Sequence, residues 1–311
     1  MFDTMAPPHR IFDELKALLP GSSVRENEPL SKRTTLRVGG CADVCVEPAS
    51  EEDLAKAVQY CHQAGTHFVV LGRGSNLLVR DGGIRGAVIF LSHPIFSRIE
   101  AESPNLRCGA GARLKAVSAK ARELSLAGLE FLEGIPGSVG GALRMNAGAM
   151  GSAVFEFVTL VRFMDDMGEI QERNAAEVTA EYRCCPLFEK NIAMGATFRG
   201  LPAEKEAIAQ RTAEFNKKRW SSQPREPSAG CIFKNPSPSL SAGRLVDELG
   251  LKGTRRGGAV VSPVHGNFII NDGGATASDV LQLIDLIKSR AKAERGIELR
   301  TEVEIIGEEG A

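Results

Sequence analysis

Net charge is almost absent from this sequence. Its 311 residues carry 38 Lys and Arg against 39 Asp and Glu, a formal charge of -1. Nothing in that balance draws the chain to nucleic acid or to an anionic membrane, although a local basic pocket can still lie within it. Long apolar runs are missing as well. The most apolar stretches, such as Phe68–Leu71 and residues 87–91, fall far short of a bilayer span. The opening MFDTMAPPHR has no apolar core of the signal-peptide kind, so a cytoplasmic setting is expected. Disulfide and metal signatures are also lacking. The seven cysteines are odd in number and contain no C-x-x-C, and the five histidines form no H-E-x-x-H. Reduced thiols and no bound metal follow as expectations. Aromatic residues make up only 5%, yet the 43% hydrophobic share is ample for a buried core and excludes general disorder. What is plentiful is glycine, with 33 residues, much of it clustered.

Length alone suggests about two or three domains. Apolar periodicity predicts a short helix over 11–19, ended by Pro20-Gly21, and a helix from the capping sequence Ser50-Glu51-Glu52-Asp53 to about Ala64. Strands are predicted over 42–46 and 68–71. Residues 76–91 read as short strands joined by hairpin turns at Asp81-Gly82-Gly83 and Gly86. A helix is predicted over 114–126, then a hairpin of 158–164 with 169–172, a strand over 192–199 and a charged helix over 203–220. Residues 221–241, rich in Ser and Pro, read as a loop. Helices near 242–249 and over 278–293 and a closing strand over 301–306 complete the chain. The mixture is α+β, with a boundary near residue 200.

Two glycine loops carry the first chemical signal. Gly72-Arg73-Gly74-Ser75-Asn76 follows a strand, but Leu77 stands where a dinucleotide fingerprint needs its third glycine, and strand residues follow. A Walker loop is excluded because no Gly-Lys-Ser/Thr occurs. Such a strand–loop–strand can still offer backbone N–H groups to phosphate; an ordinary tight turn is the alternative. The second loop is Gly134-Ile135-Pro136-Gly137-Ser138-Val139-Gly140-Gly141, followed by Asn146-Ala147-Gly148. Glycine at this density implies close approach of the main chain to something. Two phosphate-sized loops point to a dinucleotide cofactor; glycines at a domain crossover are the alternative.

These loops belong to a longer series. Thr35-x-Arg37-x-Gly39-Gly40 precedes them, and Tyr182-Arg183 follows. Next come Ser228-Ala229-Gly230-Cys231-Ile232-Phe233-Lys234-Asn235-Pro236, Ala242-Gly243-Arg244-Leu245 and Gly250-Leu251-Lys252-Gly253. His265-Gly266-Asn267-Phe268 and Glu302-Val303-Glu304-Ile305-Ile306-Gly307 close it. In this series, over nearly its whole length, the chain resembles the UDP-N-acetylenolpyruvoylglucosamine reductases, FAD enzymes that complete UDP-N-acetylmuramate for peptidoglycan.

The resemblance implies an α+β fold with an FAD-binding domain of the p-cresol methylhydroxylase (vanillyl-alcohol oxidase) type. An N-terminal helix and lead-in would occupy 1–29 and the FAD-binding domain 30–200, as two lobes meeting near residue 92. A substrate-binding domain would cover 201–300, and residues 301–311 would form a strand returning to the first lobe. FAD would be held by Arg37, Gly72, Arg73, Gly74, Ser75, Asn76, Leu77, Ile135, Pro136, Gly137, Ser138, Gly140, Gly141, Asn146, Ala147 and Gly148. Some relatives of this fold tether their flavin through His or Cys near the first loop. Arg73, Ser75 and Asn76 stand there, so non-covalent FAD is expected. Only Tyr60 and Tyr182 exist, which leaves none for the tyrosine-bearing loop of the longer class; the chain resembles the shorter class.

For the chemistry, the resemblance implies NADPH as reductant and UDP-N-acetylglucosamine enolpyruvate as substrate, with hydride passing from reduced-flavin N5 to the vinyl carbon. Arg183 would grip the pyruvyl carboxylate, and Glu302 would hydrogen-bond it. Cys231 stands where the family usually has serine and would donate the proton; inert packing, with water as the proton source, is the alternative. A thiol, with a reference pKa of about 8.5, still holds its proton near neutrality. Tyr182, Arg219, Gln223, Arg225, Lys234, Asn235, His265 and Asn267 are candidate substrate contacts, with loop capping the alternative for Lys234 and Asn235. A monomer without nucleic-acid or membrane partners is expected. Two other functions stay open at this stage. One is an FAD oxidase of the same superfamily acting on a sugar or alcohol, and the other is a non-catalytic nucleotide-sugar binding protein.

Overall fold

Local chemistry sets the helices. In the computed structural model, which describes residues 7–310, the apolar face predicted over 278–293 folds as the helix Ala277–Arg295. Thr276 caps it: its hydroxyl accepts from Asp279 N while the Asp279 carboxylate accepts from Thr276 N. Gly296, at φ 67°, ends it in the left-handed conformation. Two more N–H groups at its start, those of Ala277 and Ser278, donate to the Asp81 carboxylate. The helix Glu51–Gln63 begins at Ser50, whose hydroxyl accepts from Asp53 N. The Asp53 carboxylate accepts from the Ser22 hydroxyl instead of turning back to the cap.

Contacts group the chain into two units of interleaved segments. The first comprises residues up to Glu26, Val44–Arg73 and Gly86–Lys218; the second comprises Asn27–Asp43, Gly74–Arg85 and the chain from Arg219 onward.

The first unit is built on a five-stranded antiparallel sheet in the order Ile170–Asn174, Val158–Met164, Ile192–Arg199, Asn105–Gly109, Ile99–Glu102. The hairpin predicted across Asp165–Gly168 forms, with register Leu160 to Asn174 and Met164 to Ile170. Leu106, Phe163 and Phe198 are buried in one apolar cluster with the helices Leu114–Glu123 and Val139–Arg144. A four-stranded sheet, Ser23–Pro29, Cys41–Glu47, Ile84–Phe90, Phe68–Leu71, is built mainly from residues of this unit. Its second cluster gathers Ile11 and Leu15 of the N-terminal helix with Val44, Leu54 and Ile89.

Residues 76–91 depart from the predicted hairpin. Leu77–Val79 pairs in parallel with Glu304–Ile306, and Ile84–Phe90 pairs in parallel with Phe68–Leu71. The two strands read as hairpin partners lie in different sheets. The Asp81-Gly82-Gly83 turn carries the chain from one to the other, held by Gly82 N to Glu308 O and Glu308 N to Gly83 O. Turn residues mark a change of direction but not which strand lies alongside.

The second unit contains the antiparallel sheet Arg255–Arg256, Ala259–Val261, Ile269–Asn271, the parallel pair just described, and the helices Ala242–Glu248 and Ala277–Arg295. Phe233, Leu245, Ile269, Leu283 and Ile284 form its buried centre. The closing strand is shorter than predicted, Glu304–Ile306, so Glu302 precedes it. Among the described residues no helix is long and apolar enough to cross a membrane, no His/Cys/Asp/Glu group has metal-binding geometry, and no disulfide forms.

Candidate active site

The first glycine loop and the second meet inside the first unit. A Cβ on Gly72 would stand 2.9 Å from Ser138 Oγ, so the two loops approach closely at this point. Residues 110–114 run alongside the second loop: Val139 N donates to Ala112 O, Gly140 N to Ala110 O, and Leu114 N to Gly137 O. This ladder places Arg113 opposite Ser138. Arg73 and Arg113 repel one another, and neither is paired with a carboxylate among the described residues. Burial, and then Arg113, push the Arg73 guanidinium below its usual range. Arg113 was not legible as a site residue. Only its position after Gly109-Ala110-Gly111, at the start of a helix, sets it apart.

Tyr182 and Arg183 occupy a tight turn closed by Glu181 N to Cys184 O and Cys184 N to Glu181 O. Arg183 takes φ 59°, a conformation that L side chains adopt at a cost and that recurs at functional sites. Its Nη2 donates to Gly148 O at 3.3 Å, and its guanidinium lies 5.0 Å over the Tyr182 ring, which is 59% exposed. Asn146, expected against the cofactor, is engaged otherwise. Its Nδ2 donates to Glu181 O and its Oδ1 accepts from Phe155 N. The structure therefore brings Asn146-Ala147-Gly148 and Tyr182-Arg183 together, with Asn146 tying the two. Tyr60, the other tyrosine, donates its hydroxyl to Glu14 at 2.7 Å.

In the second unit, Gly74 takes φ 60°, and a Cβ there would lie 2.8 Å from Arg33 O and Thr34 Cα. Thr35 Oγ1 donates to Ser228 O at 2.7 Å, fastening this end of the loop to the start of the Cys231 segment. Arg37, at φ 59°, accepts through its carbonyl from Asn271 Nδ2. Asn76 reaches the last segment of the chain: Nδ2 donates to Glu302 O, and its own carbonyl accepts from Glu304 N. Glu302 N donates to Ile232 O at 2.8 Å, and Phe233 bridges to Thr301. Cys231 and Glu302, 71 positions apart by their numbers, thus stand on neighbouring backbone segments. The Arg219 pKa is depressed by burial, and the Cys231 thiol acts on it in the opposite direction.

Asn267, a candidate substrate contact, is held by backbone. It is 3% exposed, its Oδ1 accepts from Phe233 N, its Nδ2 donates to Phe233 O, and its carbonyl accepts from Ile232 N. Both edges of its amide are therefore occupied by the backbone of Phe233, two residues after Cys231. His265 supports it, accepting from Asn267 N through Nδ1. Burial, and then the nearby Lys252 charge, lower the His265 pKa. Asn235 Oδ1 accepts from Ala242 N at the start of the helix Ala242–Glu248, the capping alternative. Lys234 is anchored through its backbone N–H to Arg300 O. Gln223 N donates to Arg219 O, and Arg225 lies over the Trp220 ring.

Asn267→Ala leaves the Phe233 N–H and C=O unsatisfied in a buried setting. We expect chemical denaturation to show a loss of about 2–4 kcal/mol, with Asn267→Asp, which keeps an acceptor for the N–H, less damaging. A contact made only to substrate would change stability by under about 0.5 kcal/mol.

The geometry accepts a flavin nucleotide. Glycine loops in close backbone approach and the Arg73–Arg113 pair without a carboxylate suit a pyrophosphate. The model of the FAD binding domain family matches residues 42–174. Fold and loops thus define an FAD-dependent oxidoreductase.

The rest of the chain narrows the class. Residues 223–306 match the model of the UDP-N-acetylenolpyruvoylglucosamine reductase C-terminal domain. A UDP-N-acetylenolpyruvoylglucosamine reductase of Heliobacterium modesticaldum is 45% identical over 287 residues, 92% of this chain and 91% of that one. One from Listeria monocytogenes is 41% identical over 299 residues, covering 96% and 99%. The crystal structure of the Thermus caldophilus reductase superposes with a TM-score of 0.79 at 36% identity, covering 92% of this chain and 99% of that one. The chain belongs to the UDP-N-acetylenolpyruvoylglucosamine reductase family. The α+β fold with its FAD-binding domain and the role in peptidoglycan-precursor synthesis follow with it.

Proposed function

We propose that the chain reduces UDP-N-acetylglucosamine enolpyruvate to UDP-N-acetylmuramate with NADPH as reductant, through Arg183, Cys231 and Glu302. FAD, when bound, relays the two electrons from NADPH to the substrate; the residues do the rest. Arg183 holds the pyruvyl carboxylate with a fixed charge as electron density rises at the adjacent carbon. Glu302 hydrogen-bonds the same carboxylate. The Cys231 thiol delivers a proton to that carbon, and this proton with a hydride equivalent, two electrons and one proton, on the vinyl carbon saturates the double bond. Arg219 and Arg225 meet the diphosphate. Tyr182, Gln223, Lys234, Asn235, His265 and Asn267 are the other candidate substrate contacts.

In this reading residues 30–200 form the FAD domain and 201–300 the substrate domain, and the enzyme acts as a cytoplasmic monomer with non-covalent flavin. What supports the residue roles most directly is the hydrogen bond from Glu302 N to Ile232 O, which sets the two proposed catalytic groups of this unit on adjacent segments.

The purified chain should carry a flavin band near ~450 nm that NADPH bleaches and the enolpyruvyl sugar nucleotide alone restores. Rapid restoration by oxygen would mark an oxidase instead, and a colourless protein with no flavin affinity would overturn both.

A further inference from the structure

The only tryptophan of the chain, Trp220, is 49% exposed and stands in the last turn of the helix Lys205–Ser222. Two guanidiniums face its ring: Arg219 at 5.7 Å and Arg225 at 5.6 Å from the centroid. Two other cations of the same unit sit against carboxylates, Arg244 on Glu248 and Lys252 on Asp247. Arg219 and Arg225 have no such partner among the described residues, and the only group that raises Arg219 against burial is the Cys231 thiol.

Two like charges gathered on one aromatic side chain repel each other unless something offsets them. The negative faces of the indole offset part of that repulsion and fix where each guanidinium rests. Arginine forks held this way are ordered for a multiply charged oxyanion before it arrives, so less rotamer freedom is lost when it binds. We infer that Trp220 is a positioning residue for the substrate diphosphate, its ring holding Arg219 and Arg225 as a paired receptor next to Cys231. The inference rests on the reading that these two arginines meet the diphosphate, and it names what orders them.

The single tryptophan makes the test direct. In the full chain with FAD bound, inorganic pyrophosphate and UDP should each change the Trp220 emission saturably, while uridine and sodium chloride of matched ionic strength leave it constant. With the flavin reduced by dithionite, Trp220→Leu should raise the KM for the enolpyruvyl sugar nucleotide about fivefold with kcat little changed. Trp220→Phe, which keeps an aromatic face, should recover most of that loss. Emission indifferent to pyrophosphate, or an unchanged KM in Trp220→Leu, overturns the inference. Arg219→Gln and Arg225→Gln separate the two levels. If they raise KM and Trp220→Leu does not, only the role of Trp220 fails. If none of the three raises it, the diphosphate reading fails too.

Discussion

Cys231→Ala should give an enzyme whose flavin is still bleached by NADPH but is no longer reoxidised by the enolpyruvyl sugar nucleotide. Delivery of a proton by a placed acid contributes about 10²–10⁴ in rate, and kcat should fall by that factor while flavin reduction stays nearly intact. Single-turnover absorbance separates the half-reactions. The prediction is specific because the thiol is only part-buried, so its loss opens no core cavity and the fold should persist. Cys231→Ser, which restores the residue usual in the family, should recover most of the rate. Normal turnover in the alanine variant would sink the assignment and leave water as the proton source.

The second large effect is expected at Arg183. Arg183→Gln should lower kcat by about 10²–10³, because a fixed positive charge opposite developing negative charge counts most in the transition state. Arg183→Lys keeps charge but not the planar fork, and should fall between the two. The guanidinium is ordered before substrate arrives, by Gly148 O and by the Tyr182 ring, so the variant loses a pre-placed group and not merely a cation. Glutamine at this position inherits the same left-handed backbone, at φ 59° in the present chain, and the melting temperature should be nearly unchanged. A kcat within twofold of the parent would place Arg183 outside the chemistry; added guanidinium ion restoring the rate would reinforce its role.

Much of the fold is legible because it is local. The helix Ala277–Arg295 announces itself through its apolar face, its Thr276 cap and the Gly296 stop, and the hairpin across Asp165–Gly168 through its turn residues. Residues 76–91 mislead for the same reason: their turn signals are genuine, but each strand finds its partner far away, Leu77–Val79 at Glu304–Ile306. The start of the terminal strand is misread by three residues, since its pairing begins at Glu304 and leaves Glu302 on irregular chain that hydrogen-bonds to Ile232. Among polar residues, the sequence motifs mark which positions matter but not how. Asn146, Asn235 and Asn267 look alike as candidate ligands, and the structure engages each with backbone.

The sequence by itself determined the family and the flavin, because the glycine loops and the series of motifs are properties of residue order; for the chemistry it offered Arg183, Cys231 and Glu302 as candidates. Tertiary structure alone decided who stands beside whom. A buried amide must satisfy its donors and acceptors with whatever long-range pairing brings near. Hence Asn267 clamps Phe233, Glu302 lies against the segment of Cys231, and two arginines share the one tryptophan.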